Sequence, residues 1–167
     1  MKNLKADLIR KQQIFHNDGA PVSMLRVVMA DGTLANVLYR LMRWCAVTRL
    51  SPLAYLCYQL NKFFNGCVIG VGADFGPGFV LMHPIGVVIN SKVRGGANIT
   101  IESGVVIGDE KGRSPVLEND IFIGAGAKVI GAVNIGEHVK IGANAVVTKS
   151  APAAVTMLGI PAKPYVR

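Results

Sequence analysis

Histidine is the side chain best matched to proton transfer near neutral pH. The chain holds three, His16, His83 and His138. Only His83 stands in a setting that invites chemistry. It lies in 81-LMHPIGVVIN-90, after an aliphatic run and directly before a proline. The competing reading is a structural histidine between two strands. His16 falls in the N-terminal segment and His138 in the gap between Ile135 and Ile141, so both read as exposed residues. A zinc site needs three converging ligands, and only His83 and His138 share one half of the chain, so no metal is expected. Cys45, Cys57 and Cys67 match no zinc or redox spacing and read as free thiols in a reducing compartment.

Any such site must be positioned by a fold that the composition bounds. The chain has 167 residues, 51% hydrophobic and 17% charged, which excludes disorder and is enough for a packed core. No apolar run reaches the ~18 residues of a membrane span. The N-terminus, MKNLKADLIRKQQ, lacks the apolar stretch of a secretory signal, so a cytoplasmic protein is expected. The net charge of +8 favours anionic partners. No nucleic-acid motif accompanies it, which leaves acidic lipid or a phosphorylated cofactor.

The character of the chain changes near Gly66. Residues 1–66 read as a helical segment. Val37, Leu38, Leu41, Trp44 and Cys45 form one apolar stripe, and Pro52 opens a second helix carrying Leu53, Leu56, Tyr58, Leu60 and Phe63. Arg40, Arg43, Arg49 and Lys62 lie among these apolar residues. Packing against the rest of the molecule or another subunit is favoured for this pair, with contact to a membrane surface as the alternative.

Residues 67–167 follow a period of six. From Ile69 to Val147, thirteen of fourteen sixth positions are apolar, and the exception is Lys111. Ala73, Phe79, Ile85, Ser91, Ala97 and Ser103, then Ile121 to Ala145, give a second inward set. Neither a helix nor a lone strand has this period. It marks a β-helix solenoid of about four coils, three short strands to a coil. Lys111 sits in the polar loop 108-GDEKGRSP-115, which is expected to leave the solenoid and return.

With these motifs the chain resembles acyl-CoA-dependent acyltransferases of the left-handed β-helix superfamily, and within it the serine O-acetyltransferases. The resemblance is carried by 63-FFNGCVIGVGADFGPG-78, 81-LMHPIGVVIN-90, 123-IGAGAKVIGAVNIGEHVKIGANAVV-147 and 158-LGIPAK-163. It implies a mainly β fold, a left-handed parallel β-helix with a short α-helical N-terminal segment, assembled as a homotrimer with sites between subunits. It implies acetyl-CoA as co-substrate and His83 as catalytic base. Asp18 and Arg113 fall on substrate-binding positions of the family. Ala125 and Ala143 fall beside the pantetheine arm, and Gly108 falls at the edge of the same channel. Lys140, Lys149 and Lys163 are then candidates for the CoA phosphates, with solvated surface charge as the alternative. Oxyanion donors are sought among Gly86 and the Gly95-Gly96 pair, with glycines that serve only the turn geometry as the alternative.

The departures from the family are specific. Met82 stands where the resembling enzymes keep an acid before the histidine, Val68 where they keep the acid that orients it, and Ser114 where they keep a second histidine. A backbone carbonyl or an acid from elsewhere must then hold His83. Without countercharges a free amino acid is poorly received. The expected acceptor is therefore a hydroxyl of a sugar or surface-polysaccharide precursor. Serine is the alternative, and a non-catalytic trimeric scaffold is the alternative of another class. A lipid-linked acceptor would place the protein at the inner face of the membrane. The chain stops at Arg167 without the long isoleucine-ended tail, so no cysteine-synthase complex is expected.

Overall fold

Six-residue spacing becomes a three-sided coil because each short strand ends in a turn that carries the chain onto the next face. The computed structural model describes residues 2–165. The helices are α1 (Lys2–Asn17), α2 (Met24–Met29), α3 (Thr33–Val47) and α4 (Ser51–Asn65). The first coil follows with β1 (Val68–Ile69), β2 (Asp74–Phe75) and β3 (Val80–Leu81), and the second with β4 (Val88–Ile89), β5 (Arg94–Gly95) and β6 (Thr100–Ile101). The third holds β7 (Val106–Gly108), β8 (Val116–Leu117) and β9 (Phe122–Ile123). The fourth holds β10 (Lys128–Ile130), β11 (Asn134–Ile135) and β12 (Lys140–Ile141). A last partial coil holds β13 (Val146–Val147) and β14 (Thr156–Leu158), and β15 (Lys163–Tyr165) folds back antiparallel on β14. The coils stack into three faces, β1-β4-β7-β10-β13, β2-β5-β8-β11 and β3-β6-β9-β12-β14 with β15 at its end.

The register corrects the uniform period read from sequence. Val68 pairs with Val88, Val88 with Val106, Val106 with Lys128 and Lys128 with Val146, steps of 20, 18, 22 and 18 residues. The excess of two lies in the turn 82–87 and the excess of four in the segment 109–115. Together they make one hexapeptide, so a count by sixes regains its phase at Leu117. Between the insertions the phase is displaced. Ile89, Ile101 and Ile107 are the strand residues that fill the core there, and Val87, Val93, Ile99 and Val105 fill it from the turns. Ile85, expected inside, is 70% exposed, and Ser91 is exposed as well.

Gly95 takes its place in the core row because Phe75 on the rung below needs the space. A Cβ at Gly95 would lie 2.3 Å from Phe75 Cδ1 and 2.7 Å from Ile99 Cδ1. The Phe75 ring cannot yield, since it stacks on Phe79 at 4.2 Å between centroids, with Tyr39 edge-on to both. Gly95→Val is therefore expected to destabilise by at least the ~1–3 kcal/mol of an overpacked core, read as a lowered midpoint in thermal unfolding. An unchanged midpoint would show that the ring has room to move.

The first coil would expose unpaired strand edges, and the helices close them. Asn36 Nδ2 donates to Phe79 O at 2.7 Å, and Leu81 N donates to Asn36 Oδ1 at 2.9 Å. Tyr39 Oη donates to Ala73 O and accepts from Phe75 N at 3.0 Å. Arg40 reaches Phe75 O and Gly76 O while its Nε and Nη2 grip Asp7. The capping face of α3 is therefore Ala35, Asn36, Tyr39, Met42 and Cys45. Of the stripe expected from sequence only Cys45 lies on this face; Val37 and Leu38 are half-buried, and Leu41 and Trp44 are exposed. In α4 the buried residues are Ala54, Cys57 and Asn61, and Leu53, Leu56 and Phe63 are exposed. Small side chains let α3 and α4 approach closely, which puts the large ones outside. No helix among the described residues is long and apolar enough to cross a membrane.

Candidate active site

The turn 82–87 carries His83. It has six residues, where the turns above it, 102–105, 124–127 and 142–145, have four. The two extra residues push His83 out of the coil. The turn is nonetheless pinned: Pro84 is buried, Val87 N donates to Pro84 O at 3.1 Å, and Gly86 N donates to Gly66 O at 3.0 Å. His83 is 59% exposed.

Its partner comes from the helical segment. Asp31, between α2 and α3, places Oδ2 at 2.9 Å from His83 Nδ1. Asp31 Oδ1 accepts from Gly32 N at 3.0 Å. The Lys11 ammonium, on α1, donates to the carbonyls of Asp31 and Leu81 and so ties this turn to the end of β3. The turn presses so closely on β3 that a Cβ at Gly32 would lie 2.1 Å from Leu81 O; Gly32 also has φ +75°. Burial pushes the Lys11 ammonium down to about 8, while Asp31 and Glu102 pull the other way. An imidazole that donates Nδ1–H to a carboxylate presents a bare Nε2 lone pair, the form needed to accept a proton. Sequence reasoning left this partner open. Asp31 is 52 residues from His83 along the chain, so no local pattern marks it.

A groove of about 600 Å³ opens beside the turn, lined by Arg10, Asp18, Met82, Glu102, Asp120 and Lys140 among others. Asp18 thus lines the same groove as Met82. Lys140 lines this groove from the outer side of β12, on the face that β15 and Lys163 close.

Above His83 the turns form a column along one corner. Gly104 N donates to Ile85 O, Gly126 N to Ser103 O and Asn144 N to Ala125 O, at 2.9, 2.7 and 2.8 Å. Ala125 and Ala143 lie in this column among other small residues, Gly104, Gly124, Gly126 and Gly142. Two of the three glycines expected as oxyanion donors already donate within the solenoid. Gly86 N is used as described, and Gly96 N donates to Leu117 O at 2.9 Å at a different corner.

The other expected residues sit elsewhere in the chain. Gly108 ends β7, where Gly131 N donates to its carbonyl at 3.0 Å. The loop 108–115 does not leave the solenoid far. Glu110 and Arg113 exchange backbone hydrogen bonds at 2.9 and 3.0 Å, closing a tight hairpin with Arg113 exposed. Lys149 is exposed in the turn after β13, at the same corner. Lys163 is exposed on β15. One chain therefore brings His83, Asp18, Ala125 and Ala143 to one side and leaves Gly108, Arg113 and Lys149 at the next corner. His16 Nε2 lies 3.4 Å from Val22 O, and His138 Nδ1 lies 3.7 Å from Asp120 Oδ2. Among the described residues no three His, Cys, Asp or Glu side chains converge as metal ligands.

Known proteins match this architecture. The family "Bacterial transferase hexapeptide (six repeats)" matches residues 114–149. The serine acetyltransferase of Helicobacter pylori is 38% identical over 157 residues, covering 91% of this chain and 92% of that protein. The crystal structure of Neisseria gonorrhoeae serine acetyltransferase superposes with a TM-score of 0.90 at 31% identity, over 99% of this chain and 64% of that one. A serine acetyltransferase solved in complex with CoA superposes with a TM-score of 0.89 at 26% identity, over 98% of this chain and 68% of that one. The chain spans about two thirds of the length of these crystallised relatives.

Proposed function

From a chain that belongs to the serine acetyltransferase family of hexapeptide-repeat, left-handed β-helix acyltransferases, we propose an enzyme that moves an acetyl group from acetyl-CoA to the hydroxyl of serine. The observation that carries the reading is the His83–Asp31 pair at the foot of the small-residue column. Nε2 of His83 takes the hydroxyl proton as the oxygen attacks the thioester carbon, and returns it to sulfur as the C–S bond breaks. Asp31 holds the ring and offsets the positive charge that forms on it. Ala125 and Ala143 let the pantetheine arm lie against backbone.

The sugar acceptor expected from sequence gives way to serine on two grounds. The similarity to proteins named serine acetyltransferases runs along nearly the whole chain. The acid missing at Val68 is met by Asp31, so one of the three departures loses its force. The division of the remaining residues between two corners supports a homotrimer, in which Gly108, Arg113 and Lys149 of one subunit face His83 of the next. Acetyl-CoA dependence and three buried free thiols support a cytoplasmic location.

The test is release of CoA with a panel of acceptors: serine, nucleotide sugars and lipid-linked oligosaccharides. Turnover with serine is expected. Turnover with a sugar alone would overturn the serine reading, and absence of acetyl-CoA binding by calorimetry would favour the scaffold. Asp31→Ala is expected to lower kcat about 10- to 100-fold, less than the ~10⁴-fold of a buried triad aspartate, because Asp31 is 58% exposed. Adding Val68→Asp to Asp31→Ala should restore part of the loss, since it returns an acid to the place where the resembling enzymes keep theirs. No loss on Asp31→Ala would remove Asp31 from the mechanism.

A further inference from the structure

We propose that Lys11 is a positioning residue for acetyl transfer, its buried ammonium holding the backbone on both sides of the His83–Asp31 pair, an inference that rests on that pair being the base and its partner. The pair cannot hold itself. His83 is 59% exposed and Asp31 58%, and an exposed ion pair contributes little in water. Its geometry must come from the backbones that carry it.

Asp31 has thin support from its own side. α2 has six residues and buries only Val27. The turn after it is fixed by contact with β3, and Lys11 makes that contact. β3 ends its sheet, so its outer edge has no strand to pair with. Asn36 takes Phe79 O and Leu81 N on that edge. The remaining carbonyl, Leu81 O, accepts from Lys11 Nζ at 3.1 Å. The same ammonium donates to Asp31 O. One of these carbonyls is Asp31's own, and the other lies two residues before His83.

Lys11 is 2% exposed, and no carboxylate among the described residues forms an ion pair with it. A buried charge of this kind is costly, and a neutral amide suffices to cap a strand edge, as Asn36 does. The charge is favoured by two carboxylates, Asp31 on the turn before α3 and Glu102 after β6, on the rung above Met82. His83 is linked to it only through Asp31. Asp7 and Arg10 are the charged neighbours on its own helix, and Asp7 is taken up by Arg40. Burial outweighs the two carboxylates and lowers the pKa of Lys11 to about 8. An ammonium donates more strongly than a neutral amine. The cation therefore grips both carbonyls, and the grip loosens as pH rises through about 8. Stability runs the other way. In the unfolded chain the lysine keeps its proton to about 10.5, so between these values the unfolded state binds more protons and the contribution of Lys11 to stability rises with pH.

Kinetics of CoA release with serine, and 15N spectra of His83, separate positioning from folding. Lys11→Met should lower kcat about 10-fold, the worth of one hydrogen bond to a charged group, and leave KM for acetyl-CoA unchanged. The loss should nearly vanish in the Asp31→Ala background, because Lys11 acts through Asp31. A residue that only holds the fold would cost the same in both backgrounds. Lys11→Met should also reduce the Nδ1–H tautomer of His83, as Asp31→Ala does. Wild-type kcat should fall about 3- to 10-fold between about pH 7 and 9 with no drop in the thermal midpoint. Lys11→Arg, charged throughout, should keep part of the activity and lose that fall. If Lys11→Met fails to fold, a flat wild-type profile over this range would overturn the inference. So would Lys11→Met within twofold of wild type in kcat, an equal loss in the Asp31→Ala background, or an unchanged His83 tautomer, each of which spares the pair. Asp31→Ala at wild-type rate would overturn the pair and this inference with it. Wild type inactive with serine would overturn the serine reading alone, and the spectra, which need no acceptor, would still decide the role of Lys11.

Discussion

His83→Ala is expected to lower kcat for acetyl transfer about 10²- to 10⁴-fold, the range of a lost general base, with KM for acetyl-CoA nearly unchanged. The substitution removes the only imidazole at the foot of the small-residue column and leaves the column itself intact. Stability should hold, because His83 is 59% exposed and its turn is fixed by Pro84 and Gly86 rather than by the ring. Exposed substitutions of this kind cost within about 0.5 kcal/mol. His83→Gln sharpens the result. Glutamine keeps a donor for Asp31 but cannot accept and return a proton, so it should fall as far as alanine. Measured by CoA release, a His83→Ala enzyme at wild-type rate would place the base elsewhere. A glutamine variant near wild type would mean that the residue only orients the acceptor.

The solenoid is legible in the sequence because each core residue recurs at a spacing that no helix or lone strand has. Its phase is not. Two residues added at 82–87 and four at 109–115 cancel in a count by sixes, so Val87 to Val105 look like strand centres while they fill turns. The displacement is what matters for the site, since the longer turn is what lifts His83 clear of the coil. The faces of α3 and α4 were misleading for another reason. Hydrophobic periodicity finds large apolar residues, whereas a close helix contact is made by small ones such as Ala35, Cys45, Ala54 and Cys57. Asp31 follows from no local signal, because its contact with His83 is set by how the turn after α2 docks on β3. Glu102 is intermediate: once rungs are numbered with their insertions, its place above Met82 follows from the repeat alone.

Asp7→Ala is expected to be the most damaging single change to the fold, lowering stability by roughly 3–5 kcal/mol, the cost of leaving one partner of a buried ion pair alone. Asp7 is 2% exposed and Arg40 9%, and the two meet at 2.7 Å between Nε and Oδ2 and 2.9 Å between Nη2 and Oδ1. The same carboxylate accepts from Gly78 N and Phe79 N at 2.9 and 3.0 Å. Removing it leaves the Arg40 charge with only the carbonyls of Phe75 and Gly76 and orphans two backbone amides of the turn before β3. Arg40→Met in the Asp7→Ala background should regain part of the loss, because it removes the stranded charge. Unfolding of Asp7→Ala within 0.5 kcal/mol of wild type would mean that water reaches the pair and screens it. The consequence extends to the groove. Asp7, together with Lys11, holds α1 to the first coil, and the same helix carries Arg10, with Asp18 just past its end. A loosened α1 should therefore raise KM for the acceptor well before it changes KM for acetyl-CoA, since the strip proposed for the pantetheine arm, along Ala125 and Ala143, lies on rungs that α1 does not anchor.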